Sequence, residues 1–135
     1  MFKALALSAA VLVIGSTFAF AEGDAEKGEK VFRKCKACHM VGDKAKNRVG
    51  PILNNVIGRA AGTGEGFKYS PAMIAAGTDG VEWSGGPLTW TDEAMATYLK
   101  SPKKSIPKNK MAFAGLKKDA DVENVIAYLK TFSEQ

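Results

Sequence analysis

Cys35, Cys38 and His39 have the residue types and the spacing needed to attach a haem covalently. They lie in the sequence Cys-Lys-Ala-Cys-His, and C-x-x-C-H is typical of c-type haem attachment. On a helix, residues three and four apart lie on the same side. Two thiols could therefore form thioethers with the haem vinyl groups while the imidazole binds the iron. The motif predicts one covalent haem c with His39 as an iron ligand.

Two other kinds of site also use closely spaced cysteines. A dithiol redox motif is expected within a βαβ unit, which the hydrophobic pattern does not indicate. A structural zinc site needs four ligands, whereas this chain has only two cysteines and one histidine. Haem attachment is therefore favoured over both.

The second axial ligand must be another residue type, because His39 is the only histidine. Met40 adjoins His39 and cannot reach the opposite haem face. Met73 and Met95 lie in predicted helices and are interpreted as packing residues. Met111 lies in an irregular polar segment with no apolar stripe to join, and its soft thioether could complete the coordination. These residues favour Met111, with a lysine or an open position as alternatives.

The first 21 residues have the pattern of a secretory signal peptide. Lys3 provides a positive start, residues 4–20 are almost entirely apolar, and Ala19-Phe20-Ala21 matches an A-x-A cleavage site. Cleavage after Ala21 would leave residues 22–135 as a single domain. Because bacteria attach c-type haem outside the cytoplasm, we expect a periplasmic protein. A retained segment would instead tether the chain to a membrane.

Apolar periodicity and capping residues predict three to five helices, no strands, and loops over about half of the chain. Phe32 is expected to pack on the apolar stripe of the last helix, and Gly28 to allow close approach of the two helices. The remaining core is thin, so the haem is expected to complete it. The predicted helices run from Asp24 toward His39, from Ser70-Pro71 to Gly77, from Thr91 to Pro102, and near 120–132.

Basic side chains are clustered, although the formal net charge is only +5, including Lys3. Clustered lysines suit an acidic protein partner that is attracted over long range. Nucleic acid is disfavoured, because no recognised binding motif accompanies the charge. One cluster contains Lys27, Lys30, Arg33, Lys34 and Lys36, and the other contains Lys103, Lys104, Lys108, Lys110, Lys117 and Lys118.

A series of short motifs follows in a fixed order. They are Gly28 and Phe32, Cys35 to His39, Val49-Gly-Pro51, Gly58-Arg59, Gly66-Phe-Lys-Tyr69, Leu88-Thr-Trp90, Tyr98-Leu99, Pro102-Lys-Lys, Ile106-Pro107, Lys110 to Gly115, and Ile126-Ala-Tyr-Leu129. In this order they resemble the small class I cytochromes c of mitochondria and the bacterial periplasm, over about residues 24–133. The resemblance implies an all-α cytochrome c fold, with three main helices, short helices and long loops wrapped around one covalent haem.

The same resemblance implies axial ligation by His39 and Met111 and assigns supporting roles to further residues. The carbonyl of Pro51 would accept the proton of His39 Nδ1. The remaining implied haem contacts are Arg59, Tyr69 and Trp90 near the propionates, Tyr98 near the methionine sulfur, and Phe113 shielding the haem edge.

Three features depart from the mitochondrial pattern. Met73 occupies the position of an Asn in the internal polar network, and Asn109 replaces a Thr that usually precedes the Lys-Met pair. Residues 78–87, which include Trp83, form an insertion relative to the short mitochondrial form. The insertion could change partner choice, but its sequence indicates no specific role.

The resemblance implies a one-electron carrier, not an enzyme. Such a protein would carry electrons from a quinol-cytochrome c reductase to a terminal oxidase or another acceptor, such as a reaction centre. It would be a monomer that docks transiently on acidic surfaces of these membrane complexes. The alternative is a ligand-binding or peroxidase-like haem protein with a labile sixth position, although the chain has no second histidine to assist that chemistry.

Overall fold

A computed structural model describes residues 22–133, which form five helices connected by long loops. Strand pairing within this range is limited to one isolated antiparallel bridge between Ala60 and Thr89. No helix among these residues is long and apolar enough to cross a membrane. The predicted signal peptide, residues 1–21, lies outside the described range. The helices are α1 (Ala25–Phe32), α2 (Pro71–Thr78), α3 (Asp92–Lys100), α4 (Pro102–Ser105) and α5 (Asp119–Lys130).

Three helices begin at the capping residues that the sequence predicts. The Asp24 carboxylate accepts a hydrogen bond from the amide of Lys27 at the start of α1. The hydroxyls of Ser70 and Thr91 cap α2 and α3 in the same way. Each side chain satisfies an amide that the first turn of a helix leaves without an intrahelical partner.

The first helix is shorter than the sequence predicts. Regular α-helix ends at Phe32, and turns follow instead of a helix that continues toward His39. The amide of Cys35 bonds the carbonyl of Phe32 at 2.8 Å, three residues back, so the chain tightens there. The amide of His39 bonds the carbonyl of Cys35 at 2.9 Å. Cys35 and His39 are thus still one helical turn apart.

Helix α4 is not among the helices that the sequence predicts. Pro102 was expected only to stop α3, but it also occupies the first position of this four-residue helix. Proline suits that position because it lacks an N–H that would need a partner. The second lysine cluster therefore begins on a short helix.

Helices α1 and α5 form the main helix contact, as the apolar patterns predict. Phe32 is 1% exposed, and its ring lies 5.4 Å from that of Tyr128. Gly28 faces the backbone carbonyl of Asn124 so closely that a Cβ atom there would overlap it. α5 also contacts α3, and α3 contacts α4. The buried stripe of α5 consists of Val122, Val125, Ile126 and Leu129.

Candidate haem site

The structure brings all of the predicted site residues to one cavity of about 230 Å³. Its wall consists of the turns after α1, the 49–70 loop, α3 and the segment around Met111. The space is far larger than a single water needs, and most of the surrounding side chains are apolar. The predicted residues on the wall are Cys35, Cys38, His39, Pro51, Arg59, Tyr69, Trp90, Tyr98, Met111 and Phe113.

Both cysteines of the motif are half-buried at the cavity wall. Burial raises the pKa of Cys35 to about 11, partly opposed by the nearby charge of Lys34. The Cys35 thiol is therefore protonated at neutral pH. Neither sulfur is in a disulfide, so both are available for thioether bonds.

The His39 imidazole is held in one orientation. Its Nδ1 donates to the carbonyl of Pro51 at 2.8 Å, which directs Nε2 to act as the metal-binding nitrogen. Burial lowers the pKa of His39, and the Pro51 hydrogen bond opposes this shift. The neutral ring is the form that binds a metal.

Gly50 is a site residue that the sequence analysis missed. A Cβ atom at Gly50 would overlap the imidazole of His39, so only glycine leaves room for the ring. Its amide also bonds the carbonyl of Cys38 at 2.9 Å. Gly50 belongs to the Val49-Gly-Pro51 motif of the family resemblance, which implies a role only for the carbonyl of Pro51.

Met111 lines the cavity at the end of residues 106–111, a segment called here the Met111 turn, which Asn109 holds in place. Asn109 is 4% exposed, and its amide nitrogen donates to the carbonyls of Pro102 and Ile106 at 2.9 and 2.8 Å. Its side-chain oxygen accepts from the amide of Met111 at 2.8 Å. Asn109 thus joins the end of α4 to Met111. The sequence analysis recorded Asn109 as a departure from the family without assigning this role.

Three methionines line the cavity: Met73, Met95 and Met111. Met95 is buried within α3, and Met73 lies in α2. Met111 differs because it lies outside the helices, in a turn fixed by side-chain hydrogen bonds. The identity of the second axial ligand therefore stays a prediction that favours Met111.

The surroundings of Arg59 fit a haem carboxylate. Arg59 lines the cavity, and its buried Nε has no hydrogen-bond partner among the described residues. One terminal nitrogen bonds the carbonyl of Asn54 at 3.3 Å. A buried guanidinium N–H without an acceptor is costly, and a propionate would provide one. The donor set of the cavity therefore fits the group that the motif predicts.

Aromatic residues complete the wall on the same side as Arg59. The Trp90 amide bonds the carbonyl of Arg59 at 2.9 Å, and the Trp90 ring lies 5.0 Å from that of Tyr98. Burial raises the pKa of Tyr98 well above its ordinary value, so its hydroxyl stays protonated. The hydroxyl of Tyr69 accepts from the amide of Gly64 at 2.9 Å. Phe113 is half-buried against the core.

Comparison with known proteins agrees with this site. The family model described as Cytochrome c matches residues 25–133. Cytochrome c2 of Afifella marina is 54% identical over 105 residues, which are 78% of this chain and 79% of that protein. Cytochrome c2 of Agrobacterium tumefaciens (strain II Chrys) is 49% identical over 108 residues, covering 80% and 91% of the two chains.

A solved structure gives the same result for the fold. The structure of cytochrome c2 from Rhodospirillum centenum matches with a TM-score of 0.72 and 43% identity, covering 83% of this chain and all of that one. The region that the family model matches, residues 25–133, contains both motif cysteines, His39 and the whole cavity wall. This chain therefore belongs to the cytochrome c family, adopts the cytochrome c fold and carries one covalently attached haem c.

Proposed function

We propose that this protein is a soluble one-electron carrier with His39 and Met111 as the axial ligands of its haem. The observation that carries the proposal is that these two side chains line one mostly apolar cavity. The His39 ring is held by the carbonyl of Pro51, and the backbone amide of Met111 is held by the side chain of Asn109. When bound, the haem supplies one-electron chemistry, because its iron can be ferric or ferrous. His39 and Met111 would hold the iron of the bound haem and leave no position on it open to a substrate.

Rigid surroundings suit electron transfer. Pro51 holds the His39 ring, and Asn109 holds the Met111 turn. Buried apolar neighbours of the cavity, such as Met95 and Leu116, exclude water. Ligands that stay in place in both oxidation states need little rearrangement. A methionine–histidine pair also raises the reduction potential relative to two histidines.

We further propose that the protein docks transiently on acidic surfaces of membrane redox complexes. It would accept an electron from a quinol-cytochrome c reductase and deliver it to an oxidase or another acceptor. All eleven cations of the two basic clusters are exposed, and none of them forms an ion pair within residues 22–133. Lys34 and Lys110 also line the cavity, so each cluster reaches it. Positive charge at this opening would orient an acidic partner toward the haem.

The proposed location is the bacterial periplasm, with cleavage after Ala21. The A-x-A pattern and the extracytoplasmic attachment of c-type haem support this location. Mass spectrometry of the exported protein should find a mature chain that begins at Glu22. A mass that includes residues 1–21 would favour a tethered subunit instead.

Visible spectra of oxidised and reduced protein, with and without carbon monoxide, test the ligation. We expect a charge-transfer band from methionine to ferric iron and a reduced spectrum that carbon monoxide does not change. Met111→Ala should lose the band, bind carbon monoxide and have a lower potential. Met73→Ala is the matched control, since it removes another methionine from the same cavity wall and should keep the band.

Other outcomes would identify different chemistry. Loss of the band in Met73→Ala, but not in Met111→Ala, would assign the ligand to α2. A wild-type protein without the band that binds carbon monoxide rapidly would favour a gas-binding or peroxidase-like protein with a labile sixth position.

Ionic strength tests the docking proposal separately. Electron transfer to an acidic redox partner should slow as salt rises, because exposed charges are screened beyond about 8–10 Å at 0.1–0.15 M salt. Lys34→Gln should lower the low-salt rate and weaken its salt dependence. Lys44→Gln removes an exposed lysine that does not line the cavity and serves as control. Rates that hardly change with salt would contradict lysine steering.

A further inference from the structure

The insertion, residues 78–87, is tied to the protein at both ends. The amide of Gly80 bonds the carbonyl of Ala75 at 3.1 Å, and the amide of Leu88 bonds the carbonyl of Ala76 at 2.9 Å. Leu88 is 2% exposed, which anchors the returning chain in the core. The insertion therefore leaves the end of α2 and returns to it as a closed loop.

Hydrogen bonds within the insertion fix its shape. The Ser84 hydroxyl donates to the carbonyl of Gly86 and accepts from the amide of Val81 at 2.8 Å. Gly85 and Gly86 have φ of +66° and +146°, values that favour glycine. A loop with these internal bonds holds the side chain of Trp83 in a defined place.

Trp83 connects this loop to α4. Its indole nitrogen donates to the carbonyl of Ser105 at 3.0 Å, across 22 positions of sequence. Ser105 is the last residue of α4, whose final carbonyls have no partner within so short a helix. The Ser105 hydroxyl also bonds the carbonyl of Thr97 at 3.1 Å. The end of α4 is thus held by the insertion and by α3.

The end of α4 is directly joined to the Met111 turn. Ile106, the next residue, is 1% exposed, and its carbonyl accepts from both the amide and the side chain of Asn109. Asn109 in turn accepts from the amide of Met111. Trp83 is therefore connected to Met111 by its hydrogen bond to Ser105, the peptide bond from Ser105 to Ile106, and the hydrogen bonds of Asn109 to Ile106 and Met111.

We propose that Trp83 is a positioning residue that holds the 105–111 segment closed and so keeps Met111 at the haem site. The inference rests on the proposed ligation by Met111. This proposal gives the insertion a role within the protein, because the indole of Trp83 would lower the frequency with which the Met111 turn opens. The contact that carries this role is the bond from the indole N–H to the carbonyl of Ser105, and Trp83→Phe removes that donor while keeping an aromatic ring.

Two measurements on haem-loaded Trp83→Phe test this role. The first is the rate of imidazole binding to the ferric protein, which requires Met111 to leave. The second is hydrogen exchange at the Met111 amide. Both should rise by about 3- to 10-fold, as expected for the loss of one hydrogen bond. Thr131→Val removes a hydroxyl that donates to the Tyr128 carbonyl at the end of α5 and should leave both rates unchanged.

The two readouts distinguish the two proposals. If wild type and Met111→Ala bind imidazole equally fast, Met111 is not the iron ligand. In that case, hydrogen exchange at the Met111 amide of Trp83→Phe still decides whether Trp83 holds the Met111 turn closed. The role of Trp83 is wrong if Trp83→Phe changes the urea midpoint while Met111 exchange stays within 1.5-fold of wild type. Such a result would mean that the indole only adds to general stability.

Discussion

At the residue scale, Asn109 shows how a single side chain can fix the position of the neighbouring Met111, the proposed iron ligand. One amide group donates to two carbonyls and accepts from the Met111 amide, in a buried position. A threonine, usual at this position in the mitochondrial relatives, has one hydroxyl proton and can donate to only one carbonyl at a time. The substitution therefore changes how tightly the Met111 turn is held.

Asn109→Thr should loosen that turn. One of the carbonyls of Pro102 and Ile106 would lose its donor, and an unsatisfied buried group costs about 1–3 kcal/mol. Because only the closed turn places Met111 at the haem, we expect imidazole to bind the ferric protein about 10-fold more tightly. Spectral titration with imidazole measures this change.

A second substitution and a control make that prediction specific. Asn109→Asp keeps the shape but cannot donate when ionised, so its effect should exceed that of Asn109→Thr. Asn54→Thr changes another asparagine that bonds backbone groups, those of Gly42, and should leave imidazole affinity unchanged. Unaltered affinity in both Asn109 variants would contradict the role of the amide.

Residue types and spacing could indicate candidate haem contacts but not the residues that hold them in place. Cys35, Cys38 and His39 form a contiguous motif, so their chemistry can be recognised from the sequence. The importance of Gly50 depends on a ring eleven positions away in the chain, and that of Asn109 on two carbonyls of another segment. These contacts exist only in the folded chain.

At the element scale, the crossing of α1 and α5 depends on Gly28. Gly28→Ala should destabilise the holoprotein by about 1–3 kcal/mol, the usual cost of overpacking, despite alanine's better helix propensity. The clash is with a backbone carbonyl of α5, that of Asn124, so the whole helix would have to shift. Urea unfolding measures the decrease in the free energy of unfolding. Glu29→Ala, at an exposed neighbouring position, is the control. Equal losses in both variants would contradict close packing at Gly28.

An ion pair joins the last turn of α5 to the first turn of α3. Lys130 Nζ lies 2.9 Å from a carboxylate oxygen of Asp92, and this hydrogen bond raises the pKa of Lys130 above its ordinary value of 10.5. Because the pKa of Lys130 is raised in the folded state, its ion pair with Asp92 contributes its full stabilisation of the fold below about pH 10.5. It is lost as the pH rises through the folded-state value, because Lys130 then loses its charge.

The pH dependence of Lys130→Met should show this loss. Pairs as exposed as this one contribute about 0.2–1 kcal/mol, so the variant should be less stable than wild type by that amount near pH 8. The difference should shrink above pH 10.5. Lys130→Arg is the control, because arginine stays charged there and should keep the stabilisation. A difference that is independent of pH would show that the ammonium charge is not responsible.

Helix starts were easier to predict than helix ends. Asp24, Ser70 and Thr91 are local capping signals, and each caps the predicted helix. The end of α1 at Phe32 has no such signal, since it depends on the turns that place the haem motif. Helix α4 is only four residues long and was hidden by the lysine-rich composition around it.

At the scale of the whole molecule, the haem cavity lies inside the hydrophobic core that α1, α3 and α5 share. Trp90, Tyr98 and Leu116 are buried and line the cavity, as do the α5 residues Val125 and Leu129. The protein's interior is therefore arranged around the haem rather than closed on itself. The thin apolar core of the sequence predicted this dependence, but not which residues would meet at the cavity.

The apoprotein should therefore be largely unfolded. Without the haem, the mostly apolar wall of this cavity of about 230 Å³ loses its packing partner and meets water, and a small domain has only about 5–15 kcal/mol of stability to lose. The double variant Cys35→Ala/Cys38→Ala, made without haem attachment, provides the apoprotein. Far-ultraviolet circular dichroism should show most helical signal lost and no cooperative thermal transition. A spectrum matching that of the holoprotein would mean that α1, α3 and α5 pack without the haem, and that the haem adds function to a fold already complete.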